Sequence, residues 1–552
     1  MVKKKNLLVL VAVVVTIAVG ALPALATTYY VKNGGNDAAS GLTEATAWKT
    51  ISRVNTAIFS PGDIICFKAG DIWRIPQDAT LRPDSGSAAG GYITYTSYGN
   101  GPMPLLLGSI EKNNTSDWTN TGGNVWATAN GSFTFDVGNL IFDNEADTGN
   151  KKWSSANLAA QGDYYYDGAN NKVLLYSAGN PATYYSDIEC AVKNYIIEVA
   201  NKSYVILENL DLRYGGSHGI WLRQGSNNIK IRDNDISYVG GSQQSGTLRY
   251  GNGIEIWNNG RDIWIERNRI SEIYDAALTN QSDSTSGLYQ YNIYYRYNIV
   301  WNCAYSYEYF AQSSTTDVHN VFVENNTFVN AGDGWSYSAD PRGYSLRFWY
   351  AGGTANKNII YNFYIRNNVI YQDNIVNTAN ENLNRCWILP IIIPSLTSNY
   401  NDWYKAVGGV IDYGGTIYWM NQFANYQSAT GQDANSIAAD PVFADMAGGN
   451  YRLQDSSPCI DTALNTGQTE DFAYNPIIPA GSPDMGAFEW TLAADFDHNG
   501  VVDFRDYALF SSAWRTTPAD SDYDDAYDLI DNDSIDYDDL GSFTDDWLWS
   551  AD

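Results

Sequence analysis

Five eight-residue stretches share one pattern: apolar, any residue, apolar, Arg or Glu, any residue, Asn, any residue, apolar. They are residues 229–236, 263–270, 293–300, 321–328 and 363–370, with Asn234, Asn268, Asn298, Asn326 and Asn368 at the sixth place. An earlier variant at 205–212 keeps Glu208 but has Leu210 where the Asn would stand. Alternation with period two in short runs bounded by Gly and Asn predicts β-strands. Each run is too short to bury its apolar side alone, so it must stack on its neighbours. A coil of stacked strands meets that need, with Ile, Val and Leu inward and uneven loops between constant rungs. An Asn repeated at one corner can hydrogen-bond its copies above and below. It is therefore read as structural and left out of any active site.

The pattern resembles the right-handed parallel β-helix proteins of the pectate-lyase-like superfamily. Tyr29 to Asp37, Ser40-Gly41-Leu42, Ala47 to Ile51, Pro61-Gly62-Asp63 and Phe67 to Arg74 look like the opening of secreted members of that group. Asp440 to Phe443, Tyr451-Arg452-Leu453, Ser457 to Asp461 and Pro483 to Glu489 look like its end cap. The resemblance implies an all-β solenoid over 27–490. It leaves the chemistry open, because the group holds lyases, glycosidases, epimerases and proteins without known activity.

In such a coil the strand after the Asn corner and its loop offers a groove for a linear polymer. If Ile220, Ile254, Tyr307 and Leu346 point inward, alternation sends Trp221, Glu255, Glu308 and Arg347 outward on one face. His218 and Asp275 then lie at the strand entrances beside them. Hydrolysis of a glycosidic bond needs one carboxylic acid for the leaving oxygen and a second for water or the sugar, for which Glu255, Asp275 and Glu308 are candidates. β-Elimination on a uronate needs a base, for which His218 or Arg347 could serve, with calcium or Arg neutralising the carboxylate. Aromatic residues make up 14% of the chain, and sugars stack on such rings. Trp221, Trp257, Tyr250, Tyr274, Trp335 and Trp349 fall in or near the groove, and loops 240–252 and 331–343 are long insertions where functional groups concentrate. The expectation is a polysaccharide-degrading enzyme, hydrolysis ahead of elimination, with a non-catalytic carbohydrate-binding or adhesion protein as the reading from another class.

Residues 495–506, DFDHNGVVDFRD, carry oxygen ligands at loop positions 1, 3, 5, 9 and 12: Asp495, Asp497, Asn499, Asp503 and Asp506. Gly500 stands at the sharp turn and Val501 offers its carbonyl, which is the ligand order of an EF-hand-type calcium loop. A degenerate copy keeps Asp528, Asn532, Asp536 and Asp539, with Ile530 at position 3 and Asp533 in place of the glycine. Phe510 and Trp514 recur as Phe543 and Trp547. With Asp at position 12 the stretch 491–552 resembles dockerin modules, small helical calcium-folded docking units, and the resemblance implies a cohesin-type partner. Calcium is thus expected in these loops and is an option in the groove.

Lys3, Lys4 and Lys5, an apolar run 7–19 and Ala24-Leu25-Ala26 read as a signal peptide over 1–26, so a secreted, extracellular location follows, with surface attachment through the C-terminal module. No later stretch is long enough to span a bilayer. A net charge of −29 is a poor attractor for nucleic acid. The five cysteines are scattered and odd in number, and read as buried free thiols rather than a disulfide or metal framework.

Overall fold

The computed structural model describes residues 26–313, 315–338, 343–350, 359–373, 384–477, 482–491, 494–496, 502–530, 532–545 and 547. The leader assigned to 1–26 lies outside them but for residue 26, as do the calcium-loop positions Asp497, Asn499 and Val501. Among the described residues no helix is long and apolar enough to cross a membrane.

Three long sheets of parallel strands form the body. The first has ten strands, including Ser203–Glu208, Ser226–Arg232, Gly260–Glu266, Tyr289–Arg296, Asp317–Glu324 and Ile359–Arg366. The second has nine, including Asp211–Arg213, Asp235–Val239, Arg269–Ile273, Ile299–Trp301, Thr327–Val329 and Val369–Gln372. The third also has nine, including Ile197–Ala200, Ile220–Arg223, Ile254–Trp257, Ala276–Ser282, Tyr305–Ala311 and Gly343–Tyr350. The chain visits the three sheets in turn, adding one strand to each per coil, and so forms a three-sided parallel β-helix. All the apolar positions of the repeated octets line its core, Ile229, Ile263, Ile293, Val321 and Phe363 in one continuous column.

The predicted Asn row sits at the corner between the first and second sheets. Asn234, Asn268, Asn298, Asn326 and Asn368 each donate through Nδ2 to Oδ1 of the next, at 3.0 Å, and the row runs one coil further to Asn401. Each Nδ2 also donates to the carbonyl of the residue two before it or of the coil below, as Asn298 does to Ile265. At the far end Asn401 donates to Asp433, which also accepts from Ser398, Trp403, Tyr426 and Ser436. The residue before each row member is left-handed: Asp233, Arg267, Tyr297, Asn325, Asn367 and Tyr400 have φ of 52 to 59°. That backbone state costs a side-chain-bearing residue about 1–2 kcal/mol. The buried amide row offsets it by satisfying backbone groups that the bend leaves unpaired.

Between the first coils and the regular ones lies an insertion, residues 109–192, which the octet pattern gives no hint of. It holds a four-stranded and a five-stranded sheet, mostly antiparallel, around its own core of Phe133, Leu140, Tyr164, Leu175 and Ile188. All five cysteines are buried and free.

The described part of the C-terminal stretch holds two helices, Phe504–Ser512 and Tyr537–Asp545. Phe510 and Phe543 stack at 5.4 Å, and Trp514 meets Tyr537 as Trp547 meets Phe504, at 5.3 and 5.0 Å. The two halves of the repeat thus cross-pack with approximate two-fold symmetry.

Candidate active site

The third sheet has the alternation expected of it. Ile220, Ile254, Leu278, Tyr307 and Leu346 are in register and fully buried in the core. The next position outward reads Glu198, Trp221, Glu255, Thr279, Glu308, Arg347 along successive coils. Two residues on, the outward column reads Arg223, Trp257, Gln281, Phe310, Trp349. These columns floor a groove of about 610 Å³. His218, Glu255, Asp275, Glu308 and Arg347 all line it, with Trp221, Trp257, Tyr250, Tyr274 and Trp349. Trp335 stands behind the wall, against Tyr274 at 5.4 Å.

Glu255 is 2% exposed. Its Oε2 accepts from His218 Nε2 at 2.9 Å and from Asn252 Nδ2 at 3.1 Å. The Asn252 backbone N–H donates to His218 Nδ1 at 3.1 Å, so Nδ1 carries no proton and the ring is the neutral Nε2–H tautomer. Asn252 is itself fixed, because its Oδ1 accepts from the Ala276 backbone at 3.0 Å. Tyr195 stacks parallel to the His218 ring at 5.5 Å, and Tyr250 closes over its edge at 5.3 Å. Glu308, also 2% exposed, is ion-paired to Arg347 and accepts from Gln281 Nε2 at 2.9 Å. Arg347 in turn stacks on Tyr305 at 4.6 Å.

Glu255 and Glu308 therefore share one strand position, two coils apart, with Thr279 between them and its buried hydroxyl without a hydrogen-bond partner. At about 4.8 Å per coil their strand positions are roughly 9.6 Å apart. Asp275 is placed differently. It lies on the coil after Glu255 but opposite Gly251, whose carbonyl its N–H meets at 3.1 Å, and so stands at the strand entrance. The strand aligned with Glu255 starts at Ala276, which brings Thr279 into the column instead.

Tyr195, Asn252, Thr279, Gln281 and Phe310 are site residues that the sequence reading did not name. Asn252 and Gln281 were within reach of it, three residues before Glu255 and two after Thr279. Lys193 and Arg249 also line the groove. Arg249 belongs to a hairpin, Ser242–Ser245 with Leu248–Tyr250, that overhangs the floor and is bound to the insertion. Gln243 N donates to Asp136 Oδ2 at 2.6 Å, and Arg249 Nη2 to Gly138 O at 2.7 Å.

For calcium, the groove and the C-terminal loops differ. Among the described residues the one group of acidic side chains close enough to share a cation is Glu111, Asp187 and Glu189, away from the groove, and Arg74 already binds Glu189 at 2.7 Å. In the C-terminal stretch, Asp495, Asp506 and Asp539 are buried, an arrangement that suits a cation-binding loop. Asp539 accepts from Ile530 N at 3.0 Å and Asp536 N at 2.8 Å, and Asp506 from Asp503 N at 2.9 Å, matching positions 9 and 12 of both loops. In the second loop Asp528 accepts from Asn532 N at 3.1 Å, and Asp533 turns the chain with φ 60° where the first loop has Gly500.

No protein-family model and no curated protein sequence matches this chain. Solved structures similar to it include that of XylC with xylose, at 12% identity over 84% of this chain and 98% of that one, TM-score 0.42. A glycoside hydrolase matches at 10% identity over 71% and 89%, TM-score 0.45. A pectate lyase matches at 14% identity over 85% and 98%, TM-score 0.35. Likeness at that level carries no argument about activity.

Proposed function

We propose that this protein hydrolyses a polysaccharide in the groove of the third sheet, with Glu255 as general acid and Glu308 as general base. The observation that carries the reading is the shared strand position of these two buried carboxylates, on an aromatic-walled floor. Retaining enzymes hold their carboxyls about 5–5.5 Å apart and inverting ones about 6.5–9.5 Å. Two coils of separation favour the second geometry, with water on the far side of the sugar ring from Glu255.

The surroundings suit the two roles. Glu308, ion-paired to Arg347 and held by Gln281, is the carboxyl placed to take a proton from water. On Glu255, two N–H donors occupy Oε2. Oε1 is therefore the oxygen left to carry and pass the proton to a glycosidic oxygen in the general-acid role. His218, neutral and donating, orients that carboxyl without adding charge. Elimination is less well served. His218 has both ring nitrogens engaged and Arg347 is tied to Glu308 and Tyr305, so neither candidate base is at hand. The leader and the calcium loops complete the proposal, as export and as tethering to a cohesin-type partner.

The test is digestion of a panel of neutral and uronate-containing polysaccharides, following reducing ends, absorbance of an unsaturated uronate, and the anomer first released by nuclear magnetic resonance. Reducing ends with inverted anomers and no new absorbance support the proposal. Absorbance rising with reducing ends replaces it by elimination, and silence across the panel shifts the groove to binding alone.

A further inference from the structure

The groove separates its charges. The carboxylates Glu255, Asp275 and Glu308 lie on the floor and at the strand entrance, and Arg347 there is matched to Glu308. The wall that overhangs them carries two cations, Lys193 and Arg249, and among the described residues neither forms an ion pair. In a chain of net charge −29 this is the opposite of the average surface.

Arg249 is the more telling of the two. The residue is 8% exposed. Nε donates to Gly241 O at 2.6 Å and Nη2 to Gly138 O at 2.7 Å, while the guanidinium stacks on Tyr274 at 4.4 Å. Those contacts fix Nε and Nη2 on a residue that lines the cavity, and among the described residues Nη1 has no acceptor. Lys193 reaches the same wall, donating to Gln243 O at 2.6 Å and lying 5.3 Å from the Tyr250 ring centre. Asp136, which accepts from the hairpin at Gln243 N, is ion-paired to the buried Lys151 at 2.6 Å. A guanidinium withdrawn from water is costly unless an anion meets it. Here backbone carbonyls hold it in place and, among the described residues, no carboxylate does.

We infer that Lys193 and Arg249 form a subsite for an anionic substituent of the substrate, a sugar carboxylate or sulfate ester, and that the groove selects acidic polysaccharide. The inference rests on the groove being a saccharide site. In that arrangement the charged substituent faces the wall while the glycosidic oxygen faces Glu255, so the floor's carboxylates do not oppose it. The overall acidity of the chain makes the selection local: the pair, and not the general surface, draws the ligand.

The test is calorimetric titration of the full chain carrying E255Q, which separates binding from cleavage. The ligands are oligogalacturonate, oligoglucuronate, a sulfated neutral oligosaccharide, and the carboxyl-reduced forms of the first two. At least one anionic ligand is expected to bind about tenfold or more tightly than its neutral counterpart, the scale of one charged hydrogen bond, with the difference shrinking as salt rises. Uronate preference identifies a carboxylate and preference for the sulfated ligand a sulfate ester. K193Q and R249Q should each remove most of the difference and R249K restore part of it. Because R249Q also loosens the hairpin, K193Q is the cleaner reading. Equal binding of charged and neutral ligands, or a preference unchanged in K193Q, overturns the inference while leaving the groove as a saccharide site. Binding by no saccharide at all overturns both.

Discussion

The outer faces of the first and third sheets are built on the same coil yet carry different ladders. On the first sheet one outward column reads Glu208, Arg232, Glu266, Arg296, Glu324, Arg366. Opposite charges alternate at every step, and Glu324 is held between Arg296 at 2.5 Å and Arg366 at 2.7 Å. Beside it Trp264, Tyr294, Phe322 and Tyr364 stack ring on ring at 5.0 to 5.5 Å. Such rings spend their faces on one another and offer only edges to a ligand. On the third sheet the column breaks its own rule: Glu198, Trp221, Glu255, Thr279, Glu308, Arg347. Only the last two continue the alternation. A column that repeats satisfies itself and serves the fold; a column that stops repeating leaves groups that a ligand can use.

Substitutions on the two faces should therefore fail in opposite ways. E255Q and E308Q are expected to lower kcat by about 10²–10⁴-fold, the range of general acid or base loss, E255Q with little change in melting temperature and E308Q with a moderate fall, because Arg347 loses its counter-charge. E324A should do the reverse. Glu324 is fully buried, and its removal strands two guanidinium groups at an expected cost of about 3–5 kcal/mol, seen as a lower denaturation midpoint with kcat intact. Full activity in both glutamine variants would remove the pair from the chemistry. A large loss of activity in E324A without loss of stability would erase the distinction between the faces.

How far the coil could be read in advance follows from the same contrast. The Asn corner was legible because one side chain type does one job at every coil, and the apolar alternation around it identified the core. The left-handed bend before each Asn was not, since Arg267 and Tyr297 occupy it and neither favours that conformation; the stacked amides impose it. On the third sheet, alternation placed Glu255 and Glu308 outward on one face. It missed Thr279 because the strand begins at Ala276, and residue type alone does not mark where a strand begins. Lys193 and Arg249 were out of reach for a further reason. They meet only because the 109–192 insertion and the hairpin bind each other, a long-range contact that no local pattern encodes.

Acidity offers a smaller test, located at the closing end of the coil. Burial pushes Asp402 up to about 8, and pushes the Asp484 and Glu489 carboxyls upward as well, with the Asp484 charge adding to the effect on Glu489. The folded state therefore binds protons that the unfolded chain has already released. The stabilisation is complete below the ordinary carboxylate range and is lost as pH rises through neutrality to about 8. The melting temperature should fall between pH 5 and 9, and D402N should flatten that slope. In the first-sheet ladder burial raises the Glu266 carboxyl as well, so that residue adds to the trend in the same direction. A melting temperature that rises over the interval would contradict the burial of these acids.

The smallest effect is expected where the same kind of ion pair lies in water. Lys202 and Asp84 meet at 3.0 Å, between the 2.5 and 3.9 Å extremes of the ladder pairs, but their side chains are 31% and 39% exposed. Water solvates whichever partner is left when the other is removed, so K202M should change stability by no more than about 1 kcal/mol. Set against E324A, this substitution holds chemistry and distance nearly constant and varies burial. If K202M matched E324A in cost, pair geometry rather than desolvation would govern the ladder.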